Sequence, residues 1–384
     1  MSRQTLQHPT GIELAAAMGV GAIALLMIGV QPILLGALVD ARQVSLEGVG
    51  LVAMGEIITI GLGVLLGDLC LSAARLRSVT VLAAMVIALL DLLTVKASGD
   101  GPMIGVRAAA GLAEGLLIWG TTAVIVRSHH PARVGGIFFV VQTLAQALFG
   151  FLLARLIIPL AGWQGAFAAL AGLSLLPGIL AWVQPRGLAP LAASTTSRAR
   201  WSPAAILPLA IVFLQMATLG SFWAYLEPLG KTAGLDAQGA QTLIAFVLAM
   251  QVLGGTLASM AVKRFAVAPT LVVASLALLV ITLSVYGQPT GSTEPFMAAC
   301  LCFGFVWLFM LPFHLALALR ADPSGHLAGL VPAAQLLGSA FGPLMASFIV
   351  DGDNAGAVPL LSSSFALASA LLILGVRRAI SHKA

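Results

Sequence analysis

Five ionisable side chains interrupt runs that are otherwise apolar: Glu56, Asp91, Arg107, Glu114 and Arg155. In hydrocarbon such groups have two uses. They neutralise one another, or they face a wet passage and exchange protons with it. Arg107 and Glu114 lie in RAAAGLAEGLLIWG (107–120), seven residues apart and so on one face of a helix. Their Cα atoms are about 10.5 Å apart along the axis, too far for an ordinary pair, so each is expected to find its partners elsewhere. Arg107, Glu56, Asp91 and Arg155 fall at comparable depths below one end of their apolar runs. This predicts a charge cluster centred on Arg107, serving either as a static staple or in gating and coupling. Glu114 is expected near mid-membrane with no base at its depth. An unpaired carboxylate there takes up a proton, which makes Glu114 the first candidate for a proton carrier or a substrate contact. A permanently protonated Glu114 bonded to a backbone carbonyl is the alternative.

The elements that carry these groups follow from composition. Of 384 residues, 60% are hydrophobic and 9% charged, whereas soluble domains carry about 25% charge. The chain is therefore an integral membrane protein. Its polar first ten residues and long first apolar run do not fit a cleaved signal peptide. A crossing needs about 20 apolar residues. Runs of that length lie near 11–38, 49–71, 78–96, 103–126, 134–159, 164–184, 205–229, 238–262, 267–287, 296–319, 327–350 and 355–377, twelve in all. With both termini cytoplasmic, 14 of the 19 Lys and Arg residues fall on inside ends and loops, the bias that orients membrane proteins.

QPRGLAPLAASTTSRARWSP (185–204) reads as a cytoplasmic linker between an N-terminal bundle (1–184) and a C-terminal bundle (205–384), each of six spans. The halves echo each other. RSHHPARVGGIFFVVQTLAQA and RADPSGHLAGLVPAAQLLGSA align at an offset of 193 residues, matching Arg127 to Arg320, Gly136 to Gly329, Gln142 to Gln335 and Ala147 to Ala340. The fold class expected is thus all-α membrane protein, twelve transmembrane helices in two pseudo-symmetric bundles.

With these features the chain resembles the major facilitator superfamily of secondary transporters over nearly all its length. GTLASMAVKR (255–264) keeps Gly255, Leu257, Ala258, Lys263 and Arg264 of the superfamily's Gly-x-Leu-Ala-Asp-Arg-x-Gly-Arg-Arg loop signature. GDLCLSAARL keeps Gly67, Leu69 and Arg75, with Leu71 at the aspartate position and Asp68 three residues earlier. The resemblance therefore implies gating loops at Gly67, Asp68, Arg75, Gly255 and Arg264, but it does not supply the acidic member of the usual cytoplasmic latch. Arg107-x-x-x-Gly111 is similar to the span-four motif associated with proton coupling. The Gly-Pro pair that antiporting exporters carry in span five is missing from QALFGFLLA and occurs instead in GSAFGP (338–343) of span eleven, which tilts the reading toward uptake.

The resemblance also implies that spans one, four, seven and ten line a central cavity. Gln31 beside Pro32, Gln215, the repeat-related Gln142 and Gln335, and Trp119, Trp223 and Trp307 are the candidates to contact a small organic solute there. Interhelical bonding explains such glutamines equally well, as interfacial anchoring does the tryptophans. His314, toward the cytoplasmic end of span ten, reads as a capping or packing residue, with a proton relay as the alternative. Cys70, Cys300 and Cys302 have no metal-ligand spacing and read as small apolar residues. No metal and no cofactor is expected beyond a coupling proton. The net charge of +5 comes from loop ends rather than one face, so no nucleic-acid partner is expected. The expected partners are a small-molecule substrate and membrane lipid, the state a monomer, and the location a bacterial inner membrane.

The expected function is proton-coupled uptake by alternating access. The alternatives are proton-driven efflux of lipophilic compounds or drugs and a non-transporting solute sensor. An intramembrane enzyme is disfavoured, because SHHPAR (128–133) lies at a loop and no His-Glu-x-x-His is present.

Overall fold

A computed structural model describes residues 8–186, 188, 203–262, 264–289, 291–322, 326–352 and 354–381. Most of the expected linker, 185–204, and Lys263 lie outside the described residues. The described chain is built of helices: α1 Gly11–Ala24, α2 Leu26–Asp40, α3 Leu46–Cys70, α4 Leu76–Thr94, α5 Asp100–Ile125, α6 Pro131–Leu152, α7 Ile158–Ser174, α8 Leu176–Leu180, α9 Pro203–Ala224, α10 Leu226–Thr232, α11 Ala237–Ala261, α12 Val267–Tyr286, α13 Thr293–Ala321, α14 His326–Ser347 and α15 Val358–Ser381. Among the described residues, eleven helical stretches are long and apolar enough to cross a membrane.

Local chemistry sets several boundaries. Thr10 opens α1 with a capping box: its backbone N–H donates to Glu13 Oε2 at 2.8 Å while Glu13 N–H donates back to Thr10 Oγ1 at 3.4 Å. Between α1 and α2, the Leu25 carbonyl accepts from Gln146 Nε2 at 2.6 Å. The longest stretch, Arg133–Leu180, has 48 residues, about 72 Å of helix at 1.5 Å per residue. It contains a π turn at Leu153–Ile157 and a break at Gly162, whose φ of 65° is comfortable only for glycine. That break separates the segments expected at 134–159 and 164–184.

The chain divides into two compact units, Met1–Val30 with Gly55–Thr196 and Gln31–Met54 with Ser197–Ala384. The second therefore includes most of α2 and the first part of α3, which sequence order alone assigns to the N-terminal half. In the first unit, α5 packs against α1 and α4, and α4 against α7. In the second, α9 packs against α14 and α15, α11 against α13, and α12 against α15.

Small residues set the closest approaches, as membrane helices without a hydrophobic drive between them require. In GLAEG (111–115), Gly111 lies against the Glu56 carbonyl, where a Cβ would come within 2.5 Å, and Gly115 is 2.8 Å from Gly63 Cα by the same construction. This contact brings α3 onto α5 and sets Glu56 beside the face that carries Arg107.

Gly111→Ala is expected to lower stability by about 1–3 kcal/mol through overpacking. Gly105→Ala, where a Cβ meets nothing within 4 Å, should instead stabilise the helix by roughly 0.5–1 kcal/mol. Opposite shifts in the thermal unfolding midpoint of the two purified variants check this.

Candidate functional site

Three helices of the first unit bring their charges to one point. Arg107 on α5 is fully buried and donates from Nη1 to Asp91 Oδ1 on α4 at 2.7 Å. Its Nη2 donates to Glu56 Oε1 on α3 and, at 3.4 Å, to Glu114 Oε1 on its own helix. Asp91 uses its second oxygen to accept from Ser174 Oγ on α7 at 3.0 Å. The guanidinium also lies over the Phe167 ring, 5.8 Å from its centroid, a cation–π contact that closes one side of the group. Glu56, Asp91 and Arg107 have no exposed surface, and Glu114 is 3% exposed.

One cation is thus faced by three carboxyl groups. Charges so far from water must be paired and hydrogen-bonded, and the first two pairs, made through separate guanidinium nitrogens, meet that demand. The third is longer, and Glu114 Oε2 has no hydrogen-bond partner among the described residues. Glu114 is the member of the set with a free oxygen and a weak hold.

Two expectations need correction here. Glu114 is not without a base: Arg107 and Glu114 share a face two turns apart, and their long side chains together bridge the rise between their Cα atoms. Arg155, placed in the cluster on depth alone, does not join it. It sits in the π turn at Leu153–Ile157 with its side chain exposed and makes no ion pair among the described residues. Equal depth says nothing about which way round a helix a residue points. Ser174 and Phe167 escape the sequence reading, because a serine and a phenylalanine in an apolar helix carry no signal that singles them out.

The second unit holds a neutral counterpart. Gln215 Nε2 on α9 donates to the Leu271 carbonyl at 3.3 Å and to Ser275 Oγ at 2.8 Å. A carbonyl only accepts, so the amide must turn its Oε1 toward His314 Nε2 on α13, 2.8 Å away. His314 therefore carries its proton on Nε2, and Nδ1 accepts from Gln335 Nε2 on α14 at 3.2 Å. Ser275 continues the chain to Ser369 on α15 at 3.2 Å. His314 and Gln215 are fully buried, so this network ties five helices together. Two of the three aromatic candidates stand on the same helices: Trp223 and Trp307 meet edge to face at 5.2 Å, and Phe303 meets Trp307 at 5.8 Å.

Of the expected solute contacts, Gln31, Gln215, Trp119 and Trp223 are buried, whereas Gln142, Gln335 and Trp307 keep part of their surface open. Gln142 Oε1 is buried without a partner among the described residues. At the loop signatures, Gly67 is needed for packing, since a Cβ there would come within 2.5 Å of Trp119 Cγ. Gly255 faces Leu308 at 3.1 Å by the same measure. Asp68, Arg75 and Arg264 are exposed. Partial burial lowers the pKa of Arg127, just beyond α5, against the opposing charge of Asp68.

Arg107→Ala is expected to cost about 3–5 kcal/mol at neutral pH, because it leaves buried carboxylates without their cation. Asp91→Asn, which keeps the bond to Ser174, should cost less. Thermal unfolding of the two proteins in detergent gives the order.

The profile described as Major Facilitator Superfamily matches residues 14–343. No curated protein sequence matches the chain. Among solved structures, a mutant of the nucleoside transporter NupG is 15% identical with a TM-score of 0.69, over 94% of this chain and 99% of that one. A bacterial homologue of the human lysosomal transporter Spinster, inward-facing and occupied, is 12% identical with a TM-score of 0.72, over 95% and 96%. The xylose transporter XylE from E. coli, in a partially occluded inward-open conformation, is 14% identical with a TM-score of 0.66, over 94% and 99%. At these identities the likeness establishes the fold. The family match covers most of the chain, and with eleven apolar helices it makes this a multi-pass membrane protein that moves a small molecule and is not an enzyme. The chain belongs to the major facilitator superfamily of secondary transporters.

Proposed function

We propose that this transporter takes up a small organic solute together with protons, and that Glu114 carries the coupling proton. The observation that carries the reading is the charge count at Arg107: three carboxyl groups around one guanidinium, all sealed from water. Glu56 and Asp91 hold the two closer pairs. A third negative charge in the same low-dielectric pocket is strongly disfavoured, so Glu114 holds a proton here. Its free Oε2 can give that proton up once water reaches the group. Two stable charge states separated by one proton are what coupling to a proton gradient requires.

The reading extends to topology and solute. Twelve crossings follow if the 48-residue stretch crosses twice, since about 72 Å is more than two hydrocarbon thicknesses. The crossings form two six-helix bundles, 1–184 and 205–384, joined by the cytoplasmic linker 185–204, with both termini cytoplasmic in a bacterial inner membrane. The protein works as a monomer among lipids. Gln142, Gln335 and Trp307, which keep open surface, contact the solute, and Gly67, Asp68, Arg75, Gly255 and Arg264 belong to the cytoplasmic gating loops. A small polar solute is favoured by a D-xylose–proton symporter and a nucleoside transporter among the similar structures. The edge-to-face aromatics Trp223, Trp307 and Phe303 favour a second reading, proton-driven export of lipophilic compounds.

In proteoliposomes, an imposed inward proton gradient should drive accumulation of a solute first identified by thermal-shift screening of sugars, nucleosides, organic acids and drugs. Glu114→Gln should abolish accumulation above equilibrium while leaving exchange of labelled for unlabelled solute. Gradient-driven accumulation that survives in Glu114→Gln would remove Glu114 from the mechanism. Expulsion rather than uptake would select the export reading.

A further inference from the structure

The neutral network of the second unit stops at a side chain with an atom to spare. Gln335 stands midway along α14, about 13.5 Å from its His326 end and about 18 Å from its Ser347 end at 1.5 Å per residue. Its Nε2 donates to His314 Nδ1 at 3.2 Å. Its Oε1 makes no hydrogen bond among the described residues. The side chain is part-exposed, while His314 behind it is fully buried. The helix cannot turn to change this. A Cβ at Gly338 or Gly342 would lie 2.3 Å from the Phe213 or the Ala217 carbonyl oxygen of α9.

The direction of the Gln335 amide is fixed from the far end of the network. The Leu271 carbonyl can only accept, which turns Gln215 Nε2 toward it and Gln215 Oε1 toward His314 Nε2. His314 Nε2 then carries the proton of the neutral ring and Nδ1 offers a lone pair, so Gln335 must meet it with an N–H. Half a turn of that amide would set two lone pairs against each other. Gln335 Oε1 is therefore held away from the network as an acceptor without a donor. Hydrocarbon has no donor to give, and a bare amide oxygen in it is strongly disfavoured. At mid-helix only water or a bound solute can supply one.

We propose that Gln335 Oε1 is a hydrogen-bond acceptor in the solute site, and that it selects neutral solutes presenting a hydroxyl or N–H there over carboxylates. Gln335 touches the solute. Gln215 and His314 are positioning residues that act through it by fixing which way its amide faces. A sugar hydroxyl or an amide N–H completes the one bond the network lacks, whereas a carboxylate brings lone pairs to a lone pair. The inference rests on the reading of Gln335 as a solute contact and narrows the solute class.

Two measurements on the full-length protein in lipid nanodiscs test it. The first needs no solute. With isotope-labelled ring nitrogens and the other five histidines replaced, nuclear magnetic resonance at neutral pH should find His314 protonated on Nε2 and bare on Nδ1. A proton on Nδ1 would overturn the assignment. The second is calorimetry with D-xylose, glycerol and uridine, with their analogues carrying fluorine in place of one hydroxyl at a time, and with acetate and benzoate. At least one neutral solute should bind, one of its fluoro analogues should bind about ten-fold more weakly, the size of one hydrogen bond, and the acids should not bind. In Gln335→Met the parent solute should weaken to the level of that analogue and the difference between them should vanish, a change of ratio that general loosening does not produce. Binding by the acids alone, binding by none of the neutral solutes, or a fluorine penalty that persists in Gln335→Met each overturns the proposal. Proton-driven accumulation of an organic acid would overturn it while leaving coupled uptake in place. The expected ratios without gradient-driven accumulation would do the reverse.

Discussion

Burying a guanidinium among membrane helices sets the terms for the first unit. Arg107 cannot be deprotonated in practice, so the structure must surround it with carboxyl groups and then exclude water from them. It does so with one residue each from α3 and α4 and a second from α5 itself, and it caps the open side with an aromatic ring. Each helix must therefore sit at one rotation and one height, because a slip of a single residue would turn an acid into lipid. The glycines of GLAEG serve this end: they let α3 approach until the Glu56 backbone touches α5.

The two units meet the problem of polar groups in the membrane with different chemistry. The first concentrates charge at Arg107, where three acids face one base. The second spreads hydrogen bonds through neutral groups, Gln335, His314, Gln215, Ser275 and Ser369 in sequence. In that chain each donor has an acceptor, and one carbonyl, that of Leu271, orients the rest. The histidine is held as a neutral tautomer on both ring nitrogens, which suits a structural link rather than a proton relay. The repeat-related positions have different surroundings: Gln335 bonds to His314, whereas Gln142 Oε1 finds no partner among the described residues.

Sequence alone determined the solvent and the family. A 9% charged chain cannot be folded by water, and runs of apolar residues at membrane length mark helical crossings because every backbone group in lipid must be satisfied within a helix. The loop signature at 255–264 and the Arg107–Gly111 spacing were enough for the superfamily. Depth was legible too, because residues along a helix advance by a constant rise, and that is why Glu56, Asp91 and Arg107 can be grouped from spacing.

Azimuth was decided only by the tertiary structure. Arg155 shares the depth of the cluster but points outward from a π turn, and Glu114, at another depth, is drawn in because a long side chain can run along its own helix. Neither outcome is coded by spacing, since the rotation of each helix depends on the helices beside it. The same holds for the ion pairs of Lys231 on α10 with Glu227 and Asp40: the i,i+4 spacing of the first is visible in sequence, but a partner 191 residues away is not. One-dimensional order gives height in the membrane, and packing gives direction, which is what turns a set of charges into a site.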